Sequence, residues 1–232
     1  MRVTLAVMLS LLVLPACNKS ANQAPSQPPP ATAATAAAQT LFNGRDLDGW
    51  EHVGPGKFVI EDGVLRSEGG MGLLWYTREK FGNCRIRVVY KTTSAASNSG
   101  VFVRIADRPV DEWFAVHHGY EAQICDSQDE YHRTGAIYSL AKSASLASLP
   151  PGQWNVMEIT LDGPRLRVSV NGVAVTDFDP AQAVPPRTKE FEPERGPRPE
   201  VGYIGIQNHD DYAAGEHVYF KEISVEPLNR DK

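Results

Sequence analysis

From Leu41 onward the chain alternates apolar and polar residues in short runs, punctuated by Gly, Asp and Asn. Lys57-Phe58-Val59-Ile60 passes through Glu61-Asp62-Gly63 into Val64-Leu65-Arg66, the pattern of a strand, a glycine-containing turn and a returning strand. Over residues 155–161, Val156, Glu158 and Thr160 take one parity and Met157, Ile159 and Leu161 the other, as a half-buried strand requires. Residues 85–90, 203–207 and 217–225 read as further strands. The sharpest local signal is Asn171-Gly172 between Val168, Val170, Val173 and Val175. Both residues of a tight hairpin turn need positive φ, which Asn and Gly accept at least cost. No stretch carries the apolar spacing of a three-turn amphipathic helix. Short strands in this number predict an all-β architecture, a sandwich or jelly roll. Residues 181–200, rich in proline and in both charge signs, break the rhythm and are expected to form a long mobile surface loop.

The first forty residues follow different rules. Arg2 precedes an apolar run over residues 3–13 that only Thr4 and Ser10 interrupt, and Leu14-Pro15-Ala16-Cys17 then sets a small residue before a cysteine. This run is shorter than the roughly 20 apolar residues of a spanning helix. It reads as a lipoprotein signal peptide over residues 1–16, with Cys17 as the lipidated residue that anchors the protein to a membrane. Residues 20–40 carry Ala, Pro, Gln, Thr and Ser with no charge and too little apolar surface to offset the entropy of ordering. They are expected to be a tether between Cys17 and a β-sandwich domain over residues 41–232. The expected location is the cell envelope, at the outer membrane if the source is Gram-negative, with the domain in the periplasm or at the surface. Cys84 and Cys125 remain, either as a disulfide or as two buried thiols.

Composition narrows the partner. A formal net charge of −5 over 232 residues offers no basic footprint for nucleic acid and suits a neutral substrate. In the segment Tyr120-Glu121-Ala122-Gln123-Ile124-Cys125-Asp126, strand parity puts Glu121 and Gln123 on one face and Tyr120, Ala122 and Ile124 on the other. A carboxylate beside an amide suits the floor of a polar cleft, although an outer face in solvent has the same pattern. Trp113, Phe114, His117 and His118 crowd the preceding stretch, and aromatic rings offer flat faces to sugars. Asn98, Gly100, Phe102 and Arg104 share a parity, so Arg104 is placed to meet a hydroxyl or an oxyanion. Gln207 and His209 share a face near a strand end, with Asp210 or Asp211 available to orient the imidazole. Thr134-Gly135-Ala136-Ile137-Tyr138 reads as a short strand that presents the Tyr138 hydroxyl. No cofactor is expected; the carboxylates at 210 and 211 could take a cation, but no calcium-loop pattern surrounds them.

Taken in order, these segments resemble one family. Leu41-Phe42-Asn43-Gly44-Arg45-Asp46-Leu47-Asp48-Gly49-Trp50, Glu61-Asp62-Gly63-Val64-Leu65, Asn98-Ser99-Gly100-Val101-Phe102-Val103-Arg104, Tyr120-Glu121-Ala122-Gln123-Ile124, Thr134-Gly135-Ala136-Ile137-Tyr138, Gly152-Gln153-Trp154-Asn155 and Ile204-Gly205-Ile206-Gln207 are similar to the 3-keto-disaccharide hydrolases. The resemblance spans residues 41–227 and implies a concanavalin A-like sandwich of two antiparallel sheets. It also implies a substrate, a glycoside whose C3 hydroxyl has been oxidised to a ketone, and hence an upstream sugar 3-dehydrogenase. The ketone acidifies the C2 hydrogen, so a base can form an enolate, the C1 oxygen can leave, and water can add to the enone. That chemistry needs a base, an oxyanion stabiliser and an acid. Glu121 or His209 is the expected base and the other the acid; Arg104 and Gln123 are the expected enolate contacts, with Asn98, Tyr138, Gln207, Trp113 and Asp126 binding substrate.

Two rival readings accompany this one. A retaining glucanase on the same sandwich carries Glu-x-Asp-x-x-Glu, and Glu121-x-Gln123-x-x-Asp126 has that spacing but an amide at its centre. A sugar-binding module without catalysis fits the same aromatic and polar residues.

Overall fold

The protein is described from a computed structural model covering residues 37–210 and 215–228, without the side chain of Asp210. The expected signal segment, Cys17 and the expected tether up to residue 36 lie outside the described residues, as do Asp211 and the Asp210 carboxylate. The elements run β1 (Gln39–Thr40), β2 (Trp50–Val53), β3 (Lys57–Glu61), β4 (Val64–Glu68), β5 (Gly70–Tyr76), β6 (Cys84–Thr92), β7 (Ser99–Ile105), α1 (Phe114–His118), β8 (Tyr120–Ile124), β9 (Asn155–Asp162), β10 (Arg165–Val170), β11 (Val173–Phe178), β12 (Tyr203–Asp210) and β13 (Val218–Pro227).

Two antiparallel sheets result. The larger has the order β11-β10-β9-β6-β13-β4-β3, with β1 also paired to β13, and the smaller has the order β2-β5-β12-β7-β8. The β10–β11 turn has Asn171 at φ 51° and Gly172 at φ 80°, as its sequence predicts. Asn171 does more than turn: its Oδ1 accepts from Val156 N at 2.9 Å and its amide donates to Ala147 O at 2.9 Å. Among the described residues the first paired are Gln39 and Thr40, opposite Val225 and Ser224.

The alternation read from the sequence decides which faces meet. Met157, Ile159 and Leu161 of β9, Ile86, Val88 and Tyr90 of β6 and Phe220 and Ile223 of β13 line the inner face of the larger sheet. Tyr120, Ala122 and Ile124 of β8, Val101 and Val103 of β7 and Ile204 and Ile206 of β12 line the inner face of the smaller one. Cys84 and Cys125 are separate buried thiols. The outer face of the smaller sheet holds a second apolar cluster, Leu73, Trp75, Phe102, Ile105, Ala115 and Val116, where α1 packs on the strands.

Three segments differ from expectation. Residues 134–138 form a turn, in which Ile137 makes an isolated bridge to Ala122 and the Tyr138 amide donates to Glu121 O at 2.9 Å. Residues 181–200 are tied down by their own charged groups. Glu192 accepts from Thr188 N at 3.1 Å and Arg195 Nη2 at 3.0 Å, Arg195 also reaches Ser139 Oγ at 3.2 Å, and Arg198 donates to His117 O at 2.8 Å and Gly119 O at 3.1 Å. The third is Arg104. Between β7 and β12 the register slips, with Gly205 opposite Phe102 but Tyr203 opposite Ile105. One extra residue on β7 reverses the parity beyond it. Ile105 thus joins Phe102 on the outer face, while Arg104, at φ 54° and 1% exposed, turns inward and donates to Gly163 O.

Arg104 is therefore a structural group. Arg104→Ala removes its bond to the β9–β10 turn and opens a cavity, and is expected to lower unfolding stability by about 2–4 kcal/mol in urea titrations. Ligand binding on the outer face of the smaller sheet should be unchanged. Unaltered stability would contradict this role.

Candidate functional site

Strand alternation builds the site on the outer, concave face of the smaller sheet. β8 presents Glu121 and Gln123, β12 presents Gln207 and His209, and Asn98 stands just before β7. Together with Trp113, Val116, Tyr138 and Phe191, these side chains line a cavity of about 210 Å³. Seven of the residues singled out from the sequence thus come together: Glu121, His209, Gln123, Asn98, Tyr138, Gln207 and Trp113.

Arg104 and Asp126 do not. Arg104 points between the sheets for the reason given above. Asp126 lies beyond the end of β8, where the chain turns as Cys125 N donates to Thr134 Oγ1 at 2.9 Å and alternation ceases to apply. Its Oδ1 instead accepts from Thr134 Oγ1 at 2.6 Å and Ser148 Oγ at 2.8 Å, a lashing between loops. Asn208 is likewise structural, buried and donating to Lys57 O at 3.0 Å.

Glu121 dominates the electrostatics. It is 5% exposed, and its Oε1 has no hydrogen-bond partner among the described residues. Burial pushes its carboxyl up from an ordinary 4.5 to about 8, because a charge there forfeits hydration without a cation in return. Room for the group comes from Gly100, which faces Gln123 across the β7–β8 ladder. A Cβ on Gly100 would lie 2.1 Å from Glu121 Oε1 and 2.6 Å from its Cγ. The glycine thus makes room for a neighbouring side chain.

The other polar groups are fixed in complementary ways. Gln123 Oε1 accepts from Ile124 N at 3.0 Å, which leaves its NH₂ as the donor available to the cavity. Asn98 Oδ1 is a buried acceptor without a partner among the described residues. Burial, followed by the nearby Glu121, Glu192 and Asp129 carboxylates, pushes the Tyr138 hydroxyl up to about 12, so it serves as a neutral donor. Trp113, 37% exposed beside α1, and Phe191, 46% exposed on the 181–200 loop, supply aromatic faces at the mouth.

Sequence reasoning missed Phe191 and a neighbouring pair, Asp129 and His132. A second cavity of about 340 Å³ shares Asn98, Gln123, Tyr138 and Phe191 with the first and adds Gln128, Asp129, His132, Thr188, Lys189 and Glu192. An aromatic residue within a proline-rich, charged segment was the available signal for Phe191. Among the described residues, no group of three or more His, Cys, Asp or Glu side chains converges as a metal site.

Comparison with known proteins agrees with the architecture. A family profile described as the 3-keto-alpha-glucoside-1,2-lyase-like domain matches residues 37–226. No curated protein sequence matches the chain. A solved structure from Parabacteroides distasonis, assigned by name to the glycosyl hydrolases, is 24% identical with a TM-score of 0.66, covering 83% of this chain and all of that one (100%). A Bacillus subtilis protein described as having a galectin-like fold is 14% identical with a TM-score of 0.61, over 85% of this chain and 98% of its own. The carbohydrate-binding module CBM66 of Bacillus subtilis is 12% identical with a TM-score of 0.53, over 77% and 95%. At these identities the likeness is one of fold, a jelly-roll sandwich of two antiparallel sheets.

The buried carboxyl has a thermodynamic signature. Between pH 4.5 and 8 the folded chain holds the Glu121 proton that the unfolded chain has released. Stability therefore falls with rising pH across that window and levels off above it, by on the order of 4 kcal/mol in all. Glu121→Gln lacks this loss. Its unfolding free energy relative to the wild type should rise from pH 5 to pH 8 in urea titrations. A difference independent of pH would contradict the burial of the carboxyl.

Proposed function

This chain belongs to the 3-keto-alpha-glucoside-1,2-lyase-like domain family, and from that premise we propose that it cleaves glycosides oxidised to a ketone at C3. A carbohydrate-related role is the coarser conclusion that the family supports. The single observation that carries the finer one is the buried Glu121 carboxyl lining the cavity, whose Oε1 has no hydrogen-bond partner among the described residues.

A retaining glycosidase works with two carboxyl groups about 5–5.5 Å apart. Among the described residues Glu121 is the one carboxyl group lining the first cavity, and Asp126, which has the glucanase spacing, faces elsewhere. Elimination from a 3-keto sugar needs a different set: a base for the C2 proton and a donor for the oxygen that becomes an enolate. A carboxylic acid kept neutral by an apolar site can donate to that oxygen and gains strength as negative charge develops. Glu121 takes this part, and the Gln123 NH₂ is the second donor, in place of Arg104. His209, exposed at the end of β12 and lining the cavity, is the base, since an imidazole nitrogen can accept a proton. Trp113 and Phe191 hold the ring, with Asn98, Tyr138 and Gln207 on its hydroxyls. Water adding to C1 of the enone, with the proton returned to C2, completes net hydrolysis.

The cellular setting belongs to the same proposal. Export through the N-terminal segment and acylation of Cys17 would hold the domain at the cell envelope, where a sugar 3-dehydrogenase must first supply the ketone. No cofactor enters this scheme.

Incubation with 3-keto-trehalose should release free 3-keto-glucose, while unoxidised trehalose stays intact. His209→Ala should lower kcat about 10²–10⁴-fold. Glu121→Ala should cost about 10²–10³-fold, and Glu121→Gln less, since an amide still donates. Wild-type kcat should decline as pH rises through about 8, where Glu121 loses its proton, and that limb should vanish in Glu121→Gln. Binding without turnover would favour the sugar-binding module, and a rate that instead climbs through pH 8 would make Glu121 the base.

A further inference from the structure

The cavity on the concave wall is half of a longer groove. Its 210 Å³ falls below the roughly 300–1,000 Å³ of small-molecule sites, and the adjoining 340 Å³ compartment brings the groove into that range. Asn98, Gln123, Tyr138 and Phe191 line both compartments, so a ligand in the first continues directly into the second. The second is lined by an imidazole, that of His132, held in one orientation. Asp129 accepts from His132 Nδ1 at 2.8 and 2.9 Å and from Tyr131 N at 2.9 Å, and its backbone oxygen accepts from His132 N at 3.0 Å. The His132 ring also packs edge-on against Tyr138, with centroids 5.1 Å apart. Burial opposes the Asp129 charge, but the bonds from His132 and the Tyr131 amide outweigh it and hold the carboxyl below its ordinary value. An ionised carboxylate can only accept, so Nδ1 carries a proton toward Asp129 and Nε2 is the nitrogen left to exchange one with a ligand.

We propose that His132, oriented by Asp129, is the acid that protonates the departing glycosidic oxygen, and that the second compartment receives the leaving half of the substrate. This rests on the elimination reading above. His209 takes the C2 proton, and its electron pair enters the enolate. As the C3 carbonyl re-forms, the C1–C2 double bond forms and the C1–O bond breaks, its electron pair going to the oxygen. That oxygen takes the Nε2 proton of the His132 imidazolium and departs as a neutral alcohol. The neutral imidazole then accepts a proton from the water that adds to C1, while His209 returns its proton to C2. Both histidines end as they began. The polar lining, with Gln128, Thr188, Lys189 and Glu192, fits a hydroxylated leaving group such as a second sugar.

Leaving-group dependence tests the assignment. An alcohol as poor as a sugar hydroxyl needs the acid; a nitrophenol does not. His132→Gln should lower kcat on 3-keto-trehalose about 10²–10⁴-fold, yet change kcat on 4-nitrophenyl 3-keto-α-glucoside, corrected for spontaneous release, by less than about tenfold. Asp129→Asn should show the same selectivity with a smaller loss. Thermal unfolding of each variant separates these effects from misfolding. Equal losses on both substrates, or none on either, overturn the role of His132 while leaving the elimination reading intact. A wild-type protein inactive on both substrates overturns the two together.

Discussion

A carboxyl group cut off from water on a sheet face governs the organisation of this protein's concave wall. Glu121 is buried because Phe102 lies opposite it and Val116 shares that apolar cluster, and because the neighbouring Gly100 carries no side chain to displace it. A jelly roll ordinarily spends the outer face of a sheet on solvent. Here α1 and the turn at residues 134–138 cover part of it, and the cover converts an ordinary acid into one that keeps its proton near neutrality. The same enclosure strengthens every other dipole aimed into the cavity.

The loop at residues 181–200 shows how the enclosure is maintained. It contributes Phe191, Thr188, Lys189 and Glu192 to the groove, and it is held by guanidinium groups rather than by strands. Arg195 ties it to Ser139, next to Tyr138, and Arg198 ties it to α1, over the ring of Tyr120 at 5.3 Å. Binding wall and core are therefore mechanically continuous. The division of labour follows: rigid strands set the Glu121–Gln123–Gln207–His209 wall, and a lashed loop closes it from above.

Much of this was legible in the chain. The Asn171-Gly172 hairpin, the strand alternations and the parity of Glu121 with Gln123 follow from periodicities of two, and they account for the fold and for most of the wall. What escaped depends on contacts distant in sequence or on local turns that carry no periodicity. β5 begins Gly70-Met71-Gly72 and is then buried on both faces, so it shows no alternation. The bulge that turns Arg104 inward leaves no mark in the residues around it. Asp126 keeps the parity of a strand that has already ended. The pairing of Asp129 with His132 depends on a turn, and the ordering of residues 181–200 depends on bonds to residues 117, 119 and 139.

The central claim is that Glu121 remains a neutral acid at working pH. Carbon-13 NMR of the side-chain carboxyls, with Glu121 assigned by its loss in Glu121→Gln, measures this directly. A titration midpoint near 8 is expected, against an ordinary value of 4.5. A midpoint within about one unit of that ordinary value would show the carboxyl to be solvated and charged, and the account of the concave wall would fail.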